Sequence, residues 1–178
     1  MRPIKEYADL FAGVGLTEYV KGSPPSVLVT DILRREFLPI HGQPGDTQER
    51  ICLSESAEAR RPDQRLLKVS AYMVYPLTSV KKAAGAALLV GCARHCDVRI
   101  EEASVSREHA WIAYRGDACY IKDNSSTTGT FINDIRLEPD IERKLAAWHR
   151  VRLGRLELTY FDAPEFYRFV KRFSTSWT

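Results

Sequence analysis

The sequence predicts an all-β sandwich that carries an N-terminal extension and closes on a C-terminal helix. Three observations predict it. From residue 67 onward, short apolar or alternating runs follow one another closely, and the residues between them are Gly, Asn and Asp turn formers. The last stretch then switches to a helical apolar period. With 178 residues, 44% of them hydrophobic, the chain can build one ordinary packed domain with an extension. No internal repeat is visible.

Along the chain, Glu6–Phe11 reads as the opening of a short helix that Gly13 and Gly15 interrupt. Ser26–Thr30 is strand-like after the Pro24-Pro25 pair, whereas Asp31–Leu38 suits helix or strand, because so short an apolar run has no deciding period. Within 41–65 only Ile51 and Leu53 are large and apolar, and turn formers abound. Residues 41–66 are therefore expected to be a linker or mobile loop. They would separate an extension at 1–40, packed on the sandwich, from a sandwich at 67–162.

The expected strands are Lys68–Tyr75, Ala87–Val90, His109–Tyr114, Ala118–Lys122, Thr130–Ile132, Ile135–Leu137, Arg150–Leu153 and Leu156–Phe161. Arg115-Gly116-Asp117 makes a hairpin turn between the third and fourth of them. A helix with its tail is expected over 163–178, Asp162 being the N-cap with Glu165 three residues on. Its Phe166, Phe169, Val170 and Phe173 fall at i, i+3, i+4 and i+7, a stripe suited to packing on the sandwich.

Composition narrows the function. The four cysteines, Cys52, Cys92, Cys96 and Cys119, are irregularly spaced with no secretory leader ahead of them, so reduced thiols and a cytoplasmic location are expected. No run reaches the length of a membrane helix. Residues 1–66 hold nine Lys/Arg against ten Asp/Glu, and residues 67–178 hold seventeen against thirteen. That small excess suits an anionic ligand but is too slight to call for nucleic acid. Trp111, Tyr114, Tyr120 and Trp148 alternate with polar residues as sheet faces do, which favours packing over base stacking, and Lys81-Lys82 reads as a solvated turn. Cys92, His95 and Cys96 lack a second ligand pair, so no metal or other cofactor is expected. His41, His95, His109 and His149 stand beside no nucleophile motif and no phosphate-cradling glycine loop appears, so an enzyme is not expected.

Two motifs carry the binding chemistry. Ser104-Val-Ser-Arg-Glu-His109 and Asp123-Asn-Ser-Ser-Thr-Thr-Gly-Thr-Phe-Ile-Asn133 follow the apolar run Ala86–Gly91, and each sits in a turn between strand-like runs. Two loops bearing hydroxyls and arginine would thus face one another at one end of the sandwich. A phosphate monoester, dianionic with oxygens that accept several hydrogen bonds, requires such hydroxyls, backbone N–H groups and a cation.

The paired motifs resemble those of the forkhead-associated (FHA) domain, over roughly residues 68–161. The resemblance implies a β-sandwich that binds phosphothreonine peptides through its loops. By resemblance, Ser106 is the phosphate-contacting serine, Arg107 supplies a second polar contact, and Thr127 is the second-loop hydroxyl. His109 buttresses the loops, Gly91 ends the strand before the first of them, and Gly129 and Asn133 shape the second loop and its turn. Two positions depart from the family pattern. Cys92 stands where the family usually has its main phosphate-binding arginine, and Thr128 where an asparagine amide usually holds the peptide backbone. Arg94, two residues beyond Cys92, is the candidate to restore the missing charge with Arg107.

The end Leu158–Val170 and the segment Glu18–Val29 also resemble parts of bacterial FHA proteins. That likeness implies a signalling adaptor working with Ser/Thr kinases. The expected partner is a phosphorylated protein or peptide, which includes this chain's own linker at Thr47, with neither nucleic acid nor membrane involved. The alternative is a scaffold that uses the same loops for an unphosphorylated protein, which the Cys92 and Thr128 departures favour. A loss of one charge-assisted contact is worth about 1.5–3 kcal/mol, on the order of ten- to a hundredfold in affinity.

Overall fold

A computed structural model of the chain describes residues 2–11, 13–22, 26–30, 72–78 and 86–174. Asp31–Leu38, the 41–66 segment with Thr47 and Cys52, and Lys81-Lys82 lie outside the described residues. The elements run β1 (Arg2–Pro3), α1 (Ile4–Phe11), α2 (Leu16–Gly22), β2 (Ser26–Thr30), β3 (Met73–Pro76), β4 (Leu88–Gly91), β5 (Val98–Arg99) and β6 (Ala110–Arg115). There follow β7 (Ala118–Asp123), β8 (Thr130–Ile132), β9 (Ile135–Arg136), β10 (Arg143–Leu145), β11 (Arg150–Leu153), β12 (Leu156–Asp162) and α3 (Ala163–Ser174).

Two sheets face each other, one ordered β1-β3-β2-β12-β11-β8-β9 and the other β10-β7-β6-β4-β5. Alternation along the strands builds this sandwich: Ala110 and Ile112 of β6, and Cys119 and Ile121 of β7, point inward to meet Leu28, Val151, Leu153 and Leu158 of the larger sheet. Two-residue turns close three hairpins. Asn133 and Asp134 take φ +48° and +68° between β8 and β9, which these short polar residues tolerate, and Gly154 takes φ +65° between β11 and β12.

The larger sheet is buried on both faces at its centre. Val27 and Val29 of β2, Val74 of β3 and Phe161 of β12 turn away from the sandwich core toward α1, α2 and α3. Their alternate neighbours Leu28, Tyr75 and Tyr160 enter the core between the sheets. This explains why β2 reads as an unbroken apolar run rather than an alternating one. β2 lies between β3 and β12, so the sheet expected over 67–162 also takes in residues 26–30.

The closing helix docks as its stripe predicts, with Phe166, Phe169 and Val170 buried. Phe166 meets Tyr7 of α1 edge-on at 5.2 Å, and the Tyr167 hydroxyl donates to the Val14 carbonyl at 2.8 Å. Asp162 caps the helix by accepting the Glu165 N–H at 2.9 Å. Glu165 does not complete the reciprocal box; its carboxylate accepts from Trp148 Nε1 at 3.2 Å and pairs with Arg168.

Candidate functional site

The end of the sandwich where β4 stops is assembled from the backbone upward. A Cβ on Gly91 would fall on the Arg107 carbonyl oxygen, so only glycine lets the first loop, residues 104–109, lie against this strand. Backbone bonds fix the contact. Cys92 N–H donates to the Ser106 carbonyl and Ala93 N–H to that of Arg107, both at 3.1 Å, and His109 N–H donates to Val90 at 2.8 Å. The buried Cys96 thiol adds a bond to the Arg107 carbonyl at 3.1 Å. No group of three metal-ligating side chains comes together among the described residues.

His109 fastens the first loop to the second, residues 124–129. It is fully buried; its Nδ1 accepts the Ser106 N–H at 2.9 Å and its Nε2 donates to the Gly129 carbonyl at 3.2 Å. That pattern requires the neutral ring protonated on Nε2, and burial accordingly pushes its pKa below the usual histidine value.

Asp123 holds the second loop from within. Its carboxylate accepts the Ser126 N–H at 3.0 Å and the Ser126 and Thr130 hydroxyls at 2.6 Å each. Burial works to raise that carboxyl, but these hydrogen bonds and nearby His109 outweigh it and leave the group below the usual carboxylate range. The Ser126 hydroxyl also accepts from Gly129 N–H at 3.0 Å, and Gly129 takes φ +85°.

A third contact comes from the β11–β12 turn. Gly154 N–H donates to the Gly129 carbonyl at 3.2 Å, and Arg155 N–H donates to Ser104 Oγ at 2.7 Å. The Ser104 hydroxyl and N–H in turn donate to Glu102, and these bonds lead the causes that hold its carboxyl below the usual range.

The structure brings Ser106, Thr127, Thr128, His109 and Gly129 into one cluster. Ser106 is half-buried, and its Oγ accepts the Thr127 N–H across the loops at 3.1 Å. Thr127 and Thr128 are exposed, and the Thr128 hydroxyl donates to the Ser104 carbonyl at 2.8 Å. Arg107 is exposed on the first loop, Arg94 is exposed on the β4–β5 loop, and Cys92 is half-buried there. Neither arginine makes an ion pair among the described residues, while the adjacent Glu108 is committed to His95 at 2.7 Å. Asn133 sits apart, at the far end of β8, where its Oδ1 accepts the Arg150 N–H at 2.9 Å.

Sequence reasoning passed over Ser104, Asp123 and Ser126 as supports of this cluster. The Asp-x-x-Ser spacing of residues 123–126 does signal a local side-chain-to-backbone turn. For Ser104 the partner is Arg155, 51 residues away, which no local pattern discloses.

Comparison with known proteins identifies the region that holds these loops. The FHA domain model matches residues 88–154, which span both loops and the β11–β12 turn. Protein FraH of Nostoc sp. is 44% identical over 57 residues, 32% of this chain and 20% of that protein. Kanadaptin of Homo sapiens is 36% identical over 89 residues, 43% of this chain and 12% of that protein. The match thus covers a fifth or less of either relative's length. Among solved structures, Mycobacterium tuberculosis EmbR in complex with a low-affinity phosphopeptide is similar at 27% identity, over 49% of this chain and 21% of that one, with a TM-score of 0.42. The family match lies across the very strands and loops whose geometry has just been described, so what the chain carries at residues 88–154 is a match to the FHA domain.

Proposed function

We propose that the loop end of the sandwich binds phosphothreonine peptides, so that the protein is a non-enzymatic interaction module serving Ser/Thr kinase signalling. The observation that carries the reading is the stapled loop pair. It holds the Ser106 hydroxyl against the Thr127 backbone, and the first loop and the β4–β5 loop each carry an exposed arginine without an ion-pair partner among the described residues. A phosphate dianion needs hydroxyl donors held rigidly and a cation within reach. Ser106 Oγ accepts from Thr127 N–H, which leaves its own hydroxyl hydrogen to donate outward; the Thr127 hydroxyl joins it, and Arg107 and Arg94 bring charge. His109, Gly91 and Gly129 support the arrangement. The partner is a phosphorylated protein, either another chain or this chain's own Thr47 in the 41–66 segment.

Thr128 supports a second reading. Its hydroxyl is spent on the Ser104 carbonyl and not offered to a peptide, and Cys92 brings no charge, so the same loops suit an unphosphorylated protein partner. One titration separates the two. Degenerate phosphothreonine peptides and their unphosphorylated counterparts are measured by fluorescence anisotropy against the natural protein and Arg107→Ala. The first reading expects phosphate-dependent binding that Arg107→Ala weakens by about tenfold, the worth of one charge-assisted contact. Equal binding of both libraries establishes the second reading, and phosphate-dependent binding indifferent to Arg107→Ala removes that residue from the site.

A further inference from the structure

Beside the second loop, the outer face of the larger sheet carries a row of side chains that the phosphothreonine site does not use. Phe131 of β8 lies directly opposite Arg152 on β11 and directly opposite Arg136 on β9. Thr130 and Ile132 on either side of it are buried, so Phe131 points outward, away from the sandwich core. The Arg152 guanidinium stacks on the Phe131 ring, Cζ 3.5 Å from the centroid, and its Nη1 donates to the Gly154 carbonyl at 3.0 Å. Arg136 reaches the second loop itself. A Cβ placed on Gly129 would lie 2.9 Å from Arg136 Nε and 3.2 Å from Phe131 Cε2.

These two arginines, like Arg94 and Arg107, are left without a carboxylate partner among the described residues. Arg99, Arg115, Arg150 and Arg168 each meet a carboxylate, whereas Arg136 and Arg152 make no ion pair among the described residues. The acidic neighbour in register is Glu157, opposite Arg152 on β12, and it forms no ion pair with that arginine. The half-buried Arg152 guanidinium is therefore held by an aromatic ring and a backbone carbonyl, the exposed Arg136 lies on the other side of Phe131, and neither charge is met by an ion pair among the described residues.

We propose that Arg136 and Arg152, with Phe131 between them, form a second anion subsite that reads a further carboxylate or phosphate on the same peptide. The proposal rests on the phosphothreonine reading of the loops and deepens it, naming a doubly anionic peptide as the ligand class. The two sites are joined through Gly129, two residues from Thr127. A few residues of extended peptide, at roughly 3.3 Å each, span the gap.

The test uses the whole chain and synthetic phosphothreonine peptides in which aspartate, phosphoserine or alanine is moved through each of the six positions on either side of the phosphothreonine. Anisotropy titration gives, for each position, the ratio of anionic to alanine affinity. At one or a few adjacent positions the ratio is expected to be about threefold to tenfold, the range for partly exposed charge-assisted contacts. In Arg136→Gln/Arg152→Gln that ratio is expected to fall below about twofold, and in Arg136→Lys/Arg152→Lys to be partly kept. The ratio is internal to each variant, so a general loss of affinity or stability does not mimic the effect. A gain with aspartate as well as phosphoserine marks an acidic peptide, and a gain with phosphoserine alone marks a doubly phosphorylated one; both support the subsite. Phosphothreonine binding that is indifferent to the second anion at every position, or a gain that survives the double glutamine variant, overturns the subsite alone. If no phosphothreonine peptide binds at all, the reading beneath it falls too.

Discussion

Replacing His109 should uncouple the two loops at a cost that its hydrogen bonds allow one to work out. The ring makes two neutral bonds, to Ser106 N–H and the Gly129 carbonyl, while fully buried. Each is worth about 0.5–1.5 kcal/mol, and the void left by truncation adds to the loss, so His109→Ala is expected to cost about 2–4 kcal/mol. His109→Gln, which fills part of the space and keeps one donor and one acceptor, should cost about half of that.

Protonation provides a second handle on the same residue. In His⁺ both nitrogens are donors, so Nδ1–H would confront Ser106 N–H and the staple would break. Burial depresses the folded-state pKa, hence the unfolded chain binds the proton more readily. Stability from this group is therefore complete above the unfolded value of about 6.5 and is lost as pH falls from there through the depressed folded value. The slope for one proton cannot exceed about 1.4 kcal/mol per pH unit. His149, also depressed by burial, acts in the same direction, so the comparison requires His149→Gln alongside. Urea denaturation followed by tryptophan fluorescence between pH 5 and 7.5 measures the slope. An undiminished slope in His109→Gln would refute the stapling argument.

The other perturbations test the remaining supports. Gly91→Ala forces the first loop off β4, since the new Cβ meets a backbone carbonyl with no room to yield; a loss of about 2–4 kcal/mol by urea titration and collapse of peptide binding are expected. Asp123→Ala strands the Ser126 N–H and the buried Thr130 hydroxyl and should cost about 3 kcal/mol. Because its carboxyl is held below the usual range, the natural protein has that stabilisation in full above about pH 4 and loses it as pH falls through the depressed value, which an acid titration of the variant should no longer show. Trp148 sits at φ +70° with its ring edge-on to Phe161 at 4.6 Å and to Phe169 at 5.8 Å. Glycine relieves about 1 kcal/mol of strain but forfeits the ring, whereas alanine forfeits the ring and keeps the strain. Thermal melts should rank the natural protein above Trp148→Gly, and Trp148→Gly above Trp148→Ala.

The sandwich was legible because short apolar runs recur between turn formers: β6 and β7 flank a two-residue turn and bury every second residue, Ala110 and Ile112 in one and Cys119 and Ile121 in the other. β10 and β5 were not. Arg143-Lys144-Leu145 and Val98-Arg99 are too short and polar for any period, and they become strands because β7 and β4 offer edges to pair with. The helical layer was half legible. Phe166, Phe169 and Val170 declared an apolar stripe, but what they pack against, Tyr7, Phe11 and Tyr19, lies roughly 150–160 residues away in sequence. At the candidate site, residue identities and spacing singled out Ser106, Thr127 and His109, which the fold brings together. The tie from Thr128 to Ser104 and the stacking of Arg152 on Phe131 depend on how strands pair, and no local pattern carries that.

Cys92 is the position that tests where the proposed phosphate site takes its charge from. Hydroxyls such as those of Ser106 and Thr127 can hydrogen-bond a phosphate dianion but cannot neutralise it, so its affinity depends on guanidinium groups. Arg94 and Arg107 stand exposed, without ion pairs among the described residues, and ordering each such side chain costs about 1.5–2 kcal/mol of rotamer entropy. An arginine at position 92 would start from a residue that is already half-buried and whose backbone N–H is fixed to Ser106. It would therefore lose less freedom on binding. Cys92→Arg is accordingly expected to tighten phosphothreonine peptide binding by about tenfold, the equivalent of about 1.4 kcal/mol. The gain should shrink less with added salt than the binding of the natural protein does, because a partly buried charge is screened less than an exposed one. Titrations at 50 mM and 300 mM salt make the comparison. An unchanged affinity in Cys92→Arg would mean that Arg94 and Arg107 already neutralise the phosphate, and that the charge at this site has moved from the strand end to the loops.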